Sequence, residues 1–347
     1  MEDKNGLLPI IDSMNDRLIK SLKEAGFSTL SNQTLDLGFV STGNYALNKV
    51  ISGDYTKGIP IGMITQFLGD SSTGKTVFAT HTLIEAQKKG YHAVLVDSEN
   101  AYNIDFAEKL GLDPARLIYT APETLEECFQ SIEDTVTKIR SFDPETPIVI
   151  AYDSIAVSPI KEELEEKKGD VSKYDGHNMQ GAMRAKVTGA CLRKINPILR
   201  KNNVALLIIN QLRSKVGLFG GETSAAGGRS LDYYLGVNLK CTVRKADRIE
   251  KDGEIVGIKG VIENIKNKVS IPFRKCSFTL IFDEGLDSFS GMLADLSKGG
   301  DVVEKAGWYT LKSTGKKFRE TMFKSMVFDD SIEDFSKLRK QLGVGND

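Results

Sequence analysis

Short apolar runs separated by amphipathic stretches fill the first two thirds of the chain. Met63 to Leu68, His92 to Asp97, Leu117 to Thr120, Ile148 to Tyr152 and Val204 to Asn210 are strand-sized and rich in β-branched residues. Stretches with helical spacing lie between them: Val77 to Lys89, Ile104 to Leu110, about Glu123 to Arg140, and about Gln180 to Lys201. Strands that are apolar throughout, rather than alternating, fit a parallel sheet covered by helices on both faces. Nearer the start, Asn44 to Ile51 has helical spacing, and a glycine-rich turn spans Gly53 to Gly62. Past the glycine-rich stretch Val216 to Gly228 the rhythm changes. Val237 to Val243, Ile255 to Lys266 and Phe278 to Phe282 follow one another without helices between them. The pattern predicts an α/β fold whose mainly parallel central sheet is extended by antiparallel strands. Three regions follow from it: a helical segment over 1–37, used for oligomerisation, a core over 38–288, and a small C-terminal α/β domain over 289–347.

Composition narrows the class without naming a function. A hydrophobic content of 40% with 27% charged residues predicts a folded globular protein rather than a disordered one. No apolar run approaches the length of a membrane span, and the first residues lack the basic start and apolar run of a signal peptide. Cys128, Cys191, Cys241 and Cys276 are far apart with no C-x-x-C spacing, which fits a reducing cytoplasm and no zinc site. His81, His92 and His177 have no metal-ligand spacing either, so structural or surface roles are expected for them.

The sharpest chemical signal is Gly69-Asp70-Ser71-Ser72-Thr73-Gly74-Lys75-Thr76, which reads G-x-x-x-x-G-K-[ST] between a predicted strand and a predicted helix. The glycines let the backbone curl around phosphate, and the new helix adds its positive end. Lys75 reaches the β- and γ-phosphates of ATP, and the Thr76 hydroxyl binds Mg²⁺. Asp153, at the end of a predicted strand, is the carboxylate expected to hold the same Mg²⁺ through water. Glu99 follows another strand and can take a proton from an attacking water. Gln211 ends the strand before the glycine-rich loop. Its amide can bond to the γ-phosphate and release when that group leaves, which would pass the nucleotide state into the loop.

A net charge of −1 gives no global argument for a polyanion, so any such partner must bind a local patch. From Arg184 to Ser230 there are nine basic residues and one acid, Glu222, a net of +8. Arg184, Lys186, Arg193, Arg213, Lys215 and Arg229 are candidate phosphate contacts. Phe219 can stack on or wedge between bases, and Gly227 and Gly228 admit backbone N–H groups to phosphate.

Taken together, these motifs resemble the RecA-type recombinases from about Ser41 to Tyr309. Phe39-Val40-Ser41-Thr42-Gly43 with the Ile59-Pro60-Ile61-Gly62 turn is similar to the family's approach to its phosphate loop. Val96-Asp97-Ser98-Glu99 resembles the strand end with the catalytic glutamate, and Asp153-Ser154 the Walker B end. Asn210-Gln211-Leu212-Arg213 resembles the nucleotide-sensing strand end and second DNA loop. Lys266-Asn267-Lys268, with Pro272-Phe273 after it, resembles the lysine pair that reaches ATP on the neighbouring subunit.

The resemblance implies further assignments. Phe106 and Phe282 would contact adenine, and Lys161 to Asn178, with Lys173 in it, would be the first DNA loop. Either Arg184 or Lys186 takes the family's arginine position. Asp232-Tyr233 stands where a more basic pairing is expected, as in a phage-encoded or otherwise distant member. The implied activity is DNA-dependent ATP hydrolysis with Mg²⁺. The implied partners are single-stranded DNA, homologous duplex DNA, further copies in a helical filament with ATP between protomers, and single-strand-binding and mediator proteins. A ring-forming RecA-core ATPase or helicase, or a mediator that exchanges no strands, are the alternatives.

Overall fold

The computed structural model describes residues 16–22, 24, 38–166, 177–214, 223–225, 228–329 and 331–343. The chain divides into two units, Met1–Gly38 and Phe39–Asp347. In the first, residues 16–22 are helical, within the span expected to be a helix.

The second unit opens with β1 (Phe39–Val40), the helix α1 (Tyr45–Ser52) and β2 (Ile59–Pro60), the two short strands pairing antiparallel. Strands and helices then alternate: β3 (Ile64–Gly69), α2 (Lys75–Lys88), β4 (His92–Asp97), α3 (Ile104–Lys109), β5 (Leu117–Thr120), α4 (Leu125–Phe142) and β6 (Ile148–Asp153). The helix α4 starts where the sequence dictates. Thr124 accepts from the Glu127 N–H while the Glu127 side chain reaches back to the Thr124 N–H, a reciprocal cap. Next come α5 (Lys161–Glu166), α6 (His177–Lys201), β7 (Val204–Ser214), β8 (Thr223–Ala225), α7 (Gly228–Tyr234) and β9 (Leu235–Thr242). The strands β10 (Arg248–Lys251), β11 (Glu254–Asn267), β12 (Lys275–Ile281) and β13 (Gly285–Leu286) complete the sheet.

The sheet runs β13-β12-β11-β9-β3-β7-β6-β4-β5, with β10 on β11 and β8 on β7. From β9 to β5 all neighbours are parallel, and β9, β11, β12 and β13 pair antiparallel. This is the architecture expected, and strand periodicity explains it. In β6 the side chains of Val149 and Ala151 join one apolar cluster, and those of Ile148, Ile150 and Tyr152 join the other. In β7, Ala205, Leu207 and Ile209 split from Val204, Leu206 and Ile208 in the same way. The first cluster packs on α1 and α2, the second on α4 and α6. Both faces are dry, so the strands are apolar throughout.

Two elements differ from expectation. The strand β7 does not stop at Asn210 but continues to Ser214, because β8 folds back and pairs with its end, Leu212 opposite Ala225 and Ser214 opposite Thr223. The stretch between the glycine-rich loop and Val237, to which the sequence pattern assigned no element, is the second. It forms the seven-residue helix α7, anchored by buried Leu231 and by the Ser230 hydroxyl, which donates to the Ala185 carbonyl at 3.2 Å.

A row of amides crosses the buried centre of the sheet. The Gln66 Nε2 donates to Asn238 Oδ1, and Asn210 Nδ2 donates to Gln66 Oε1, both at 2.9 Å. The Gln211 main-chain N–H donates to Asn210 Oδ1 at 2.9 Å. These side chains lie on adjacent strands β9, β3 and β7 and are buried. Such groups persist in a core only when hydrogen-bonded.

Beyond residue 289 lie α8 (Met292–Gly299), the antiparallel strands β14 (Val302–Lys305), β15 (Trp308–Leu311) and β16 (Lys317–Phe318), and the helices α9 (Glu320–Phe328) and α10 (Ser336–Leu342). A third apolar cluster, including Phe289, Phe318, Phe323 and Phe335, holds them together. Among the described residues, no helix is long and apolar enough to cross a membrane.

Candidate active site

The ends of β3, β4, β6 and β7 point to the same side of the parallel half, because parallel strands with crossover helices place all their carboxyl ends together. The loop from Gly69 to Gly74 leaves β3 there. At Gly69 a Cβ would stand 2.5 Å from the Cys241 carbonyl oxygen of the next strand, so only glycine fits. Gly74 has φ +84°, the left-handed conformation that starts α2 abruptly. The Thr73 hydroxyl donates to the Asp70 carbonyl at 2.9 Å, which closes the loop on itself.

The resulting cleft has a volume of about 340 Å³. It is lined by Ser71, Ser72, Thr73, Gly74, Lys75 and Thr76 of the loop, together with Glu99, Asp153 and Gln211. Lys75 is only 6% exposed. Its Nζ donates to the carbonyls of Gly69 at 3.0 Å and Asp70 at 2.6 Å. Burial pushes its ammonium below the usual lysine range, opposed by Asp153, Asp70 and Glu99 nearby. The Thr76 hydroxyl donates to Asp153 Oδ2 at 2.6 Å. Burial raises Asp153 to about 6, with Glu99 and Asp97 adding to the shift and the Thr76 bond and Lys75 opposing it.

This donor set fits Mg²⁺ in one particular way. Thr76 and Asp153 offer a hydroxyl and a carboxylate side by side. No group of three or more His, Cys, Asp or Glu suited to a metal occurs among the described residues. Mg²⁺ commonly takes one or two protein oxygens and completes its octahedron with phosphate oxygens and water. A divalent ion here would depend on the phosphate, as in nucleotide sites.

Glu99 lies on the exposed side of the cleft. Ser154 Oγ donates to Glu99 Oε1 at 2.8 Å, and buried Asp97 accepts from the Glu99 N–H at 3.1 Å. Asp97 also accepts from the Tyr102 N–H at 3.2 Å and the Tyr119 hydroxyl at 3.3 Å. Ser98 Oγ accepts from the Ser154 N–H and donates to its carbonyl, both at 3.1 Å. Sequence reasoning gave no role to Ser98, Asp97 or Ser154. The signal available was Ser and Asp at two neighbouring strand ends, in Val96-Asp97-Ser98-Glu99 and Asp153-Ser154.

The remaining candidates are placed elsewhere. Phe106, on α3, is half-buried and Phe282, just past β12, is exposed, and neither lines the cleft. Their elements meet at His81, since a Cβ on Gly285 would lie 2.6 Å from both His81 Nε2 and Leu110 Cδ2. Lys266 and Lys268 also stand outside the cleft lining. Lys266 donates to the Asp232 carbonyl, and Lys268 to the Tyr233 carbonyl at 3.4 Å, both at the C-terminal end of α7.

Lys186 and Arg193 are exposed on one side of α6, opposite buried Thr188, Leu192, Ile195 and Leu199. Arg184 departs from its expected place among the phosphate contacts. Its guanidinium is turned inward and donates to main-chain carbonyls after β6, so it is used inside the protein instead. Arg213 lies on β7, and Gly228 and Arg229 open α7. Lys173, Lys215, Phe219 and Gly227 lie outside the described residues.

Comparison with known proteins follows the same outline. The model of the RecA N-terminal domain family matches residues 12–287. Protein RecA of Lactobacillus acidophilus is 35% identical over 276 residues, 79% of this chain and 70% of that protein. Protein RecA of Chloroherpeton thalassium is 33% identical over 306 residues, 87% of this chain and 80% of that protein. Protein RecA of Syntrophus aciditrophicus is 31% identical over 277 residues, 79% and 75% of the two chains.

Proposed function

This chain belongs to the RecA family, and from that premise we propose that it is a DNA-dependent ATPase of homologous recombination. It forms a helical filament on single-stranded DNA, pairs that strand with homologous duplex, and exchanges strands. The observation that carries this reading is the convergence of three strand ends on one phosphate loop. Asp153 bonds to Thr76 of the loop, Glu99 bonds to Ser154 one residue beyond Asp153, and Gln211 lines the same cleft.

The roles follow from chemistry. Lys75 draws charge from the phosphates of ATP, and the first turn of α2 adds its N-terminal dipole. Thr76 and Asp153 would hold Mg²⁺, which would supply charge neutralisation at the phosphate oxygens. Glu99 takes the proton of the attacking water. Lys266 and Lys268 act on ATP held by an adjacent protomer, where they stabilise the departing phosphate. Gln211 bonds to that phosphate and reports its loss along β7, which runs on into Arg213. Phe106 and Phe282 contact the adenine. Arg213, Lys215, Phe219, Gly227, Gly228 and Arg229, with Lys173, Lys186 and Arg193, contact DNA.

The test is ATP hydrolysis with and without single-stranded DNA across a salt series. The expected result is strong stimulation that fades as salt rises, because phosphate contacts release counterions. Hydrolysis indifferent to DNA at every salt would overturn the reading and leave a basic patch that is only a solvated face.

A further inference from the structure

The turn that follows β6 is fastened from several directions. The Ile155 N–H donates to the Ile209 carbonyl of β7 at 3.2 Å. Ser158 Oγ donates to the Ser154 carbonyl at 3.1 Å and shares a 2.6 Å bond with the buried Tyr152 hydroxyl. Ser98 holds Ser154 from β4. The last fastening is Arg184, on α6. Its Nη2 donates to the Ile155 carbonyl at 2.6 Å and the Ala156 carbonyl at 3.3 Å, and its Nη1 lies 3.6 Å from Glu163 Oε2. Glu163 Oε2 in turn accepts from the Ile160 N–H at 2.9 Å, at the far end of the same turn.

The Arg184 side chain is 13% exposed. A guanidinium taken that far from water needs compensation, and here Nη2 donates to two consecutive carbonyls while Nη1 faces the Glu163 carboxylate as an ion pair. The planar fork suits this geometry, and a lysine ammonium cannot span the three acceptors in the same way. The first residue of the turn, Ser154, is the one whose hydroxyl bonds to Glu99. Displacing the turn therefore displaces the hydrogen bond that aims the Glu99 carboxylate.

We propose that Arg184 is a positioning residue for ATP hydrolysis, which holds the turn Ser154–Ile160 so that Ser154 orients Glu99. It does not line the cleft. It links α6, whose outer side carries Lys186 and Arg193, to the hydrolytic end of the cleft. The proposal rests on the reading of Glu99 as the proton acceptor.

A double-mutant cycle on the full chain, with saturating single-stranded DNA, tests it. Arg184→Ala and Ser154→Ala should each lower kcat roughly tenfold with KM for ATP within about twofold, because small misplacement costs rate rather than binding. If Arg184 acts through Ser154, the double variant should be no slower than the slower single variant, within roughly twofold. Losses that multiply to about a hundredfold would overturn the proposal, as would wild-type kcat in Arg184→Ala. Arg184→Lys keeps the charge but not the fork, and should lose about threefold in the Ser154 background and none in the Ser154→Ala background. That variant carries the test if Arg184→Ala fails to bind a fluorescent ATP analogue, and equal loss in both backgrounds overturns the proposal. Glu99→Gln separates the premise from the proposal. Wild-type turnover in Glu99→Gln removes the premise, whereas an inactive Glu99→Gln with multiplicative Arg184 and Ser154 losses removes only the role of Arg184.

Discussion

Lys75 and Lys266 both donate to main-chain carbonyls, but one is held by its own loop and the other by a distant helix end. Lys75 sits in the parallel half of the sheet and bonds to Gly69 and Asp70, six and five residues away. It is buried, and acids surround it. Lys266 sits in the antiparallel half on β11 and bonds to Asp232, thirty-four residues away, with Lys268 on the next carbonyl. Burial and the Lys268 charge both push Lys266 below the usual lysine range. The position of Lys75 is thus fixed by local backbone geometry. That of Lys266 depends on where α7 lies, and α7 directly follows the glycine-rich basic stretch of the chain. A fixed lysine suits a site completed within one protomer. For the proposed role on an adjacent protomer, Lys266 and Lys268 would have to leave that helix end.

The largest expected effect tests the fixed site. Lys75→Ala should lower kcat/KM for ATP by at least about a thousandfold, or about 4 kcal/mol, with its thermal midpoint close to wild type. Turnover near wild type in that variant would remove Lys75 from the chemistry.

Acid should loosen the joint between the two halves. His81, on α2, accepts the Leu286 N–H of β13 at 3.0 Å, and burial lowers it to about 4 despite the Glu85 charge. Between pH 6.5 and 4 the unfolded chain takes up a proton there that the folded chain does not. The stability from this group is complete above pH 6.5 and falls as pH drops toward 4, by about 3 kcal/mol in all. Urea midpoints at pH 7.5 and pH 5 should record most of that slope, and His81→Asn should flatten it. An unchanged slope in His81→Asn would place the acid sensitivity elsewhere.

A smaller effect tests the pair Lys266 and Lys268. Lys266→Ala with Lys268→Ala should lower turnover by roughly thirtyfold, about 2 kcal/mol, while a fluorescent ATP analogue still binds. Mixing this variant with Lys75→Ala should restore part of the activity, since some interfaces then combine an intact loop with intact lysines. Absence of rescue at every mixing ratio would sink the cross-protomer role. Smallest of all, Lys266→Met alone should shift folding stability by no more than about 0.5 kcal/mol, because the helix C-terminus favours the cation while burial and the Lys268 charge disfavour it. A loss in the urea midpoint worth more than about 1 kcal/mol would mean that the carbonyl contact outweighs both.

What could be read from the sequence divides along the same line. The limits of β4 and β6 follow from apolar runs buried on both faces, and the phosphate loop follows from two glycines and a lysine at fixed spacing. These are local signals. The seven-residue α7 was hidden because it starts on Gly228 and buries little beyond Leu231. The direction of Arg184 was hidden as well, since a run of basic residues gives charge but not which guanidinium turns inward. The bond from Ser154 to Glu99 spans 55 positions, and the contacts of Gln66 with Asn210 and Asn238 span 144 and 172. Such pairs exist only once β6 is set beside β4 and β3 between β9 and β7, and no periodicity announces them.

That amide row has a direction, and one main-chain group sets it. The Gln211 N–H can only donate, so Asn210 must turn its oxygen toward it and its nitrogen toward Gln66. Gln66 must then accept on that side and donate on the other, which leaves Asn238 to accept. The side-chain orientation of three residues on three strands is inherited from a single peptide group beside the cleft. All members are neutral, so neither acid nor salt rewrites the row. A carboxylate placed at Gln66 would accept from both sides, and Asn238 would have to reverse for the row to survive.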